Sequence, residues 1–381
     1  MVMALAKIGS LISSGVAGLV VGAVLGLVLS VIFEDRLKEL LKRIERRCRR
    51  LARKTRPAHE REYFEFGNVR SRCIIVEGDG SHPINEALVH TVVSDEPITL
   101  PPEMLEWKDE IALAENGKPK DDPDRKWNGP VFGVERLGVQ RTEFAEEPEL
   151  YFRLRRSDYF SFQATQYLDR RFRDGTTPRS KYIDSVGHRA APAFMSLSLG
   201  TSVVLVTTDD KVLLCQRTAT VGSRPLHWGV SADEGTHPVH DCPGGAPPRM
   251  YDVARRGVRE ELSLEPEEYR LEMLAVTIDT ERHQWDTVFV GYTHELSAEN
   301  LESRIRRGAK DKDIEIADLE FIDFEVSPVL AWLSSCGPSR LSTPILLVAL
   351  YLALVRRHGR YYVERAGRRF SKGRGPAEQK S

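Results

Sequence analysis

The chain has 381 residues, 41% hydrophobic and 29% charged, a composition that suits globular protein with room for two domains and accessory segments. A formal net charge of -1 excludes a chain that binds polyanions through its overall charge, so the local placement of charge carries more information. Five widely spaced cysteines, Cys48, Cys73, Cys215, Cys242 and Cys336, include no CxxC pair, which argues against a zinc site or a disulfide framework and for reduced thiols.

Ile8 to Phe33 is free of charged residues. As a helix, its 26 residues would extend roughly 39 Å, enough to span a ~30 Å hydrocarbon core with some tilt. Eleven Lys or Arg residues follow between Arg36 and Arg56, against Lys7 alone in front. That asymmetry predicts a single-pass anchor in the cell membrane, with the C-terminal domains cytoplasmic. Gly18, Gly22 and Gly26 form a four-residue ridge that suits a homodimer of membrane helices, although glycine is common in such helices anyway. Leu37, Leu40, Leu41, Ile44 and Leu51 then mark a basic amphipathic helix on the inner leaflet or a solvated stalk, ended by Pro57. The membrane explains this basic run, so no nucleic-acid partner is expected.

Residues 58–195 alternate short apolar runs with polar turns and read as an accessory α+β domain. "CIIVEGDG" and "ALVHTVV" suggest strands, and "ENGKPKDDPDRKWNGP" a loop. Tyr159, Phe160 and Phe162 invite base stacking, but such a cluster is more commonly core.

Residues 196–358 have a sharper pattern. "TSVVLVTTDDKVLLCQR" predicts a hairpin turning at Asp209 and Asp210. "YDVARRGVREELSL" predicts a helix, and three strand-like runs follow it. Strands, a Pro/Gly-rich loop, one helix and further strands imply an α/β sandwich. Positions 257, 260 and 261 share one face of that helix, and Arg256 lies four residues before Glu260, within pairing distance.

From roughly Leu199 to Leu333 this order resembles the Nudix hydrolase family, whose box reads G-x5-E-x7-R-E-U-x-E-E-x-G-U, with U aliphatic. Arg256 falls at its Arg, Val258 and Leu264 at its aliphatics, and Glu260 and Glu261 at its E-E pair. Gly257 replaces a Glu and Ser263 a Gly. Ungapped, the opening Gly and Glu would fall on Cys242 and Pro248, so "ADEG" at Ala232 to Gly235 is the better opening, with an insertion in the loop.

The resemblance implies a Nudix-type α/β/α sandwich that cleaves a nucleoside diphosphate linked to another group, using Mg²⁺ or Mn²⁺. Glu260 and Glu261 would be the metal ligands, because hard cations prefer carboxylate oxygens. Arg256, Glu260, Glu261 and Glu234 would form the catalytic set. Asp233, Glu281, His283 and Asp286 are further substitutes for the carboxylate missing at position 257, although His283 fits a plain surface histidine equally well. The rival expectation is a Nudix fold without hydrolysis, a nucleotide-sensing or scaffold module tethered to the membrane. Gly257 itself is read in two ways: as the remnant of an eroded metal site, or as a position where the backbone packs closely.

"TPILLVALYLALVRR" predicts a buried helix covering the sheet, with Pro344 at its first position. Residues 359–381, basic and glycine-rich, predict a disordered tail. The whole is expected to be a transmembrane helix at 1–34, a basic helix at 35–57, the accessory domain, the Nudix-like domain and this tail.

Overall fold

The computed structural model describes residues 62–122, 125–141, 147–308, 316–337 and 340–373. Strands β1 (Phe64–Phe66) and β2 (Val69–Ser71) form a small hairpin, and β3 (Cys73–Gly78) leaves it for a larger sheet. Strands β4 (Val89–Ser94), β5 (Pro130–Gln140) and β6 (Glu149–Asp158) make a separate three-stranded sheet in the order β4-β6-β5, with helix α1 (Pro102–Asn116) between β4 and β5. Helix α2 (Tyr159–Thr165) follows β6 directly, because the Asp158 carboxylate accepts the free N–H of Ser161 and caps the new helix. Tyr159, Phe160 and Phe162 pack inward here, and the last two are buried.

Next come β7 (Leu199–Val206), β8 (Lys211–Arg217), β9 (Trp228–Gly229), β10 (Ala232–Gly235) and helix α3 (Met250–Leu262). They are followed by β11 (Tyr269–Asp279), β12 (Gln284–Thr293), α4 (Ala298–Gly308), β13 (Ile316–Asp323), α5 (Val326–Ser335), α6 (Pro344–His358) and α7 (Arg360–Gly373). The larger sheet runs β13-β8-β7-β12-β11-β3, with β10 paired to β7 and β9 to β8. Its pairs are antiparallel except β7 with β12, which is parallel. Because β3 pairs with β11, the stretch before residue 195 contributes an edge strand to this sheet.

The period-two alternation of a strand divides its side chains between two cores. Val204, Val206, Val212, Leu214, Val288 and Val290 lie on the α6 side, and Val203, Leu205, Leu213, Cys215 and Phe289 on the α3 side. The sheet is therefore covered by a helix on each face, a mixed α/β architecture in layers. Helix α3 buries Val253, Ala254, Val258 and Leu262 and turns its charged stripe away, so the sheet fixes which residues the helix offers to the site.

Two expectations are corrected. Among the described residues no helix is long and apolar enough to cross a membrane. Helix α6 is the most apolar, but its 15 residues reach only about 22 Å, and Ile345 through Val355 are all taken up by the core. The fold class is thus a mixed α/β architecture without a transmembrane helix, and single-pass membrane localisation is not carried forward. The stretch 8–33, its glycines Gly18, Gly22 and Gly26, and the basic run to Pro57 lie outside the described residues.

The second correction concerns the tail. Residues Arg360–Gly373 form helix α7 where disorder was expected. Val363, Ala366 and Phe370 recur at helical spacing and pack on the α6 core, an apolar stripe hidden among many charges. Leu350, fully buried in α6, gives a direct measure of this core. Leu350→Ala is expected to lower the unfolding free energy by about 2–5 kcal/mol, the usual range for such a cavity, as read by urea denaturation. A loss within 0.5 kcal/mol, typical of surface sites, would show that α6 is not the core helix.

Candidate functional site at helix α3 and strand β10

Helix α3 crosses β10 at Gly257. A Cβ built on Gly257 would lie 2.7 Å from the Glu234 Cβ, closer than real Cβ contacts come. Glycine in a helix interior costs about 1 kcal/mol relative to alanine, and here the close approach of the strand requires it. Of the two readings of Gly257, close packing is the one the geometry favours, because the Glu234 side chain already fills the space that a residue at 257 would use.

The Glu234 carboxylate turns to Arg256, with Oε2 2.8 Å from Nη1. Glu260 Oε2 lies 3.3 Å from the same nitrogen. Arg256 also donates from Nε and Nη2 to Asp241, at 2.8 and 2.9 Å, and from Nη2 to the carbonyl of Gly235 at 2.9 Å. Burial opposes the charge of this guanidinium, but Asp241, Glu234 and Glu260 outweigh it and hold the group more firmly protonated than usual. Glu261 is buried, and its Oε1 accepts the backbone N–H of Asp233 at 2.9 Å. The expected residues Arg256, Glu234 and Glu260 thus meet directly, and Glu261 ties the helix to the same strand.

Beside them lies a cavity of about 150 Å³, lined by Arg217, Arg224, Asp233, Glu234, Asp279 and Asp286 among others. Arg217 pairs with Asp233 at 3.1 Å, and Arg224 pairs with Asp279 and, at 2.9 Å, with Glu281. Asp286 is buried, accepts a hydrogen bond from Ser202 at 3.1 Å and leaves Oδ1 without a partner among the described residues. Burial first, then the neighbouring Asp233, raises its carboxyl well above the ordinary range. Asp241, Arg217 and Arg224 went unread in the sequence. Each sits in or beside a loop without a periodic pattern, so only the fold brings them in.

The carboxylates were tested as a resident cation site. Glu234 and Glu260 share one arginine nitrogen, and Glu261 is committed to the strand backbone. Among the described residues no group of three His, Cys, Asp or Glu is placed to hold a metal ion. A hard divalent cation needs several converging oxygens, so the expected Mg²⁺ or Mn²⁺ ligand set of Glu260 and Glu261 does not fit as arranged.

His283 is neither at the surface nor in the cavity. It is fully buried in the turn between β11 and β12, in the left-handed region at φ 56°. Its Nδ1 lies 2.8 Å from Nδ1 of His188, and its Nε2 lies 3.0 Å from Ser196 Oγ, which also accepts the Trp285 indole N–H at 3.1 Å. One facing Nδ1 must donate and the other accept, so the facing nitrogens cannot both carry protons. Burial chiefly, and the Arg179 charge nearby, pull His188 down to about 4; burial, His188 and Arg179 pull His283 down to about 3.

No protein-family model matches the chain, and no curated protein matches it. Among solved structures, the Deinococcus radiodurans protein DR0079 overlaps at a TM-score of 0.30 and 16% identity, over 43% of this chain and 84% of that one. A MutT NUDIX hydrolase from Burkholderia pseudomallei overlaps at 0.26 and 18%, over 40% and 95%. At these scores and identities neither likeness speaks to the activity of this chain.

Two outcomes follow from the geometry. Gly257→Ala, which in an open helix would gain about 1 kcal/mol, is expected to destabilise by about 1–3 kcal/mol as β10 is pushed away. A denaturation midpoint at or above wild type would refute the contact. The histidine pair makes stability pH-dependent. The unfolded chain takes up a proton at each imidazole near pH 6.5, while the folded chain does so only near 4 and 3. Stability is therefore complete above pH 6.5 and falls below it, by up to about 1.4 kcal/mol per pH unit for each imidazole, until the folded values are reached. Asparagine tolerates the left-handed backbone, so His283→Asn should fold and show roughly half that slope in urea titrations between pH 6.5 and 4. An unchanged slope would remove His283 from the effect.

Proposed function

We propose that the α3–β10 face and its cavity bind a nucleotide-derived compound without hydrolysing it. The observation that carries this reading is the contact at Gly257: Glu234 fills the position from which a third helix carboxylate would project, and Arg256 holds Glu234, Glu260 and Asp241 together. Hydrolysis of a diphosphate linkage needs a cation to offset charge and activate water, and the acidic groups here are instead matched by arginines. The nucleotide class of the ligand is supported by the resemblance of residues 199–333 to Nudix sequences. The Arg217 and Arg224 guanidinium groups in the cavity wall suit a phosphate oxygen.

A second reading, Mg²⁺-dependent hydrolysis of a nucleoside diphosphate linked to another group, is favoured by one observation. Glu234, Glu260 and Glu261 all gather around Arg256 and β10, where the substitute for the missing carboxylate was expected. The two readings separate in one assay. The full chain is incubated with ADP-ribose and a panel of nucleotide sugars, with Mg²⁺ and with Mn²⁺, and its melting is followed alongside. Binding without hydrolysis predicts a ligand-dependent rise in melting temperature and no turnover. Metal-dependent turnover that is abolished in Glu261→Gln would overturn it and establish the hydrolase.

A further inference from the structure

A second, larger concavity of about 500 Å³ lies outside the α3 site. Its walls include Gln166, Tyr167, Asp169 and Arg170, which follow α2, and Glu281 and Arg282 from the turn between β11 and β12. Its volume falls in the range that encloses small organic ligands, whereas the 150 Å³ cavity beside α3 holds only a single polar group.

The charges in this groove are unevenly matched. Asp169 pairs with Arg179 at 2.9 Å, and Glu281 with Arg224 at 2.9 Å. Arg170 pairs with Glu110 at 2.5 Å and lies over the Trp107 ring at 4.3 Å. Arg282 differs. It is partly buried, donates to the neutral Ser223 Oγ at 2.8 Å, and forms no ion pair among the described residues. Burial and the nearby Arg224 both disfavour its charge. A partly buried guanidinium without a carboxylate partner is an anion site in waiting, and its fork of N–H donors suits phosphate.

Two further groups in the same walls lack a protein partner for part of their chemistry. Gln166 is 4% exposed, and its Nε2 donates to Gln163 Oε1 at 2.5 Å, while its own Oε1 has no partner. A buried acceptor left unpaired calls for a donor N–H. Tyr167 is 49% exposed, which leaves an aromatic face available beside these groups. A planar ring to stack on, an acceptor for an amine and a cation for a phosphate together describe one kind of molecule.

We propose that this groove binds a nucleotide whose base carries an exocyclic amine, with the base stacked on Tyr167, the amine donating to Gln166 Oε1 and a phosphate held by Arg282. The groove uses none of the residues of the α3 site, so the inference stands or falls separately from the function proposed there.

The test is calorimetric titration of the full chain, without added metal, using ADP, UDP, adenosine and inorganic phosphate as probes. ADP is expected to bind saturably, and UDP, which lacks the exocyclic amine, about tenfold more weakly. Tyr167→Ala is expected to weaken ADP and adenosine by about tenfold each, in keeping with the contribution of base stacking. Arg282→Gln should weaken ADP and phosphate and leave adenosine unchanged. Tyr167 is half exposed, so its variant should fold even if Arg282→Gln does not. Absence of saturable ADP binding, or ADP affinity unchanged in Tyr167→Ala, would overturn the proposal. Equal affinity for UDP would overturn the role of Gln166. Weakening by Glu261→Gln but not by Tyr167→Ala would place the nucleotide at α3 and overturn the groove.

Discussion

The contact between Gly257 and Glu234 sets the geometry of everything around it. A helix and a strand rarely approach so closely unless one partner has no side chain at the crossing point. That approach lets Glu261 reach the backbone N–H of Asp233 from the helix, so the two elements are hydrogen-bonded as well as packed. It also aims Glu234 along the helix surface toward Arg256, not out into solvent. Any larger residue at 257 would have to move β10, and β10 is paired in register with β7 in the middle of the sheet.

Around this crossing, acids and arginines are matched in number and position. Arg256 gathers Glu234, Glu260 and Asp241; Arg217 takes Asp233; Arg224 takes Asp279 and Glu281. Partly buried carboxylates placed so near one another would repel and lose their charge without these cations. Asp286 has no arginine, and it is the carboxyl that burial and Asp233 push up. The matching stabilises a cluster of acids without a metal ion. It also means that any cation entering the site must first displace a guanidinium, which competes with coordination.

The periodic parts of this architecture were legible in the sequence. Alternation in "VVLV" and "KVLLCQ" placed β7 and β8 with their turn at Asp209 and Asp210, and helical spacing placed Arg256 opposite Glu260. The run from Pro344 was legible as a buried helix because apolar residues on every side leave no solvent face. Less was visible where partners come from different elements. Asp241 reaches Arg256 from a loop, and β3 joins β11 across nearly two hundred residues. His283 read as a surface residue because its neighbours in "TERHQWD" are polar, but its left-handed backbone turns the ring inward onto His188. In α7 the stripe of Val363, Ala366 and Phe370 was masked by the surrounding arginines, which made composition a poor guide.

The turn after β11 shows how one short segment serves several environments. Asp279 ends the strand and points into the small cavity, where Arg224 meets it. Glu281 reaches the same arginine from the groove side, and its backbone N–H donates to Asp279 Oδ1 at 2.8 Å, which holds the two acids apart. Arg282 points into the groove, yet its hydrogen bond to Ser223 returns to the wall of the cavity. His283 then requires a positive φ so that its ring can descend to His188 and Ser196 while the chain re-enters the sheet at Gln284. A residue with an ordinary backbone conformation at 283 would rotate Arg282 and Glu281 away from their partners. The buried histidine pair therefore acts as the anchor of the turn, and it holds the side chains of both concavities in register from a position that touches neither.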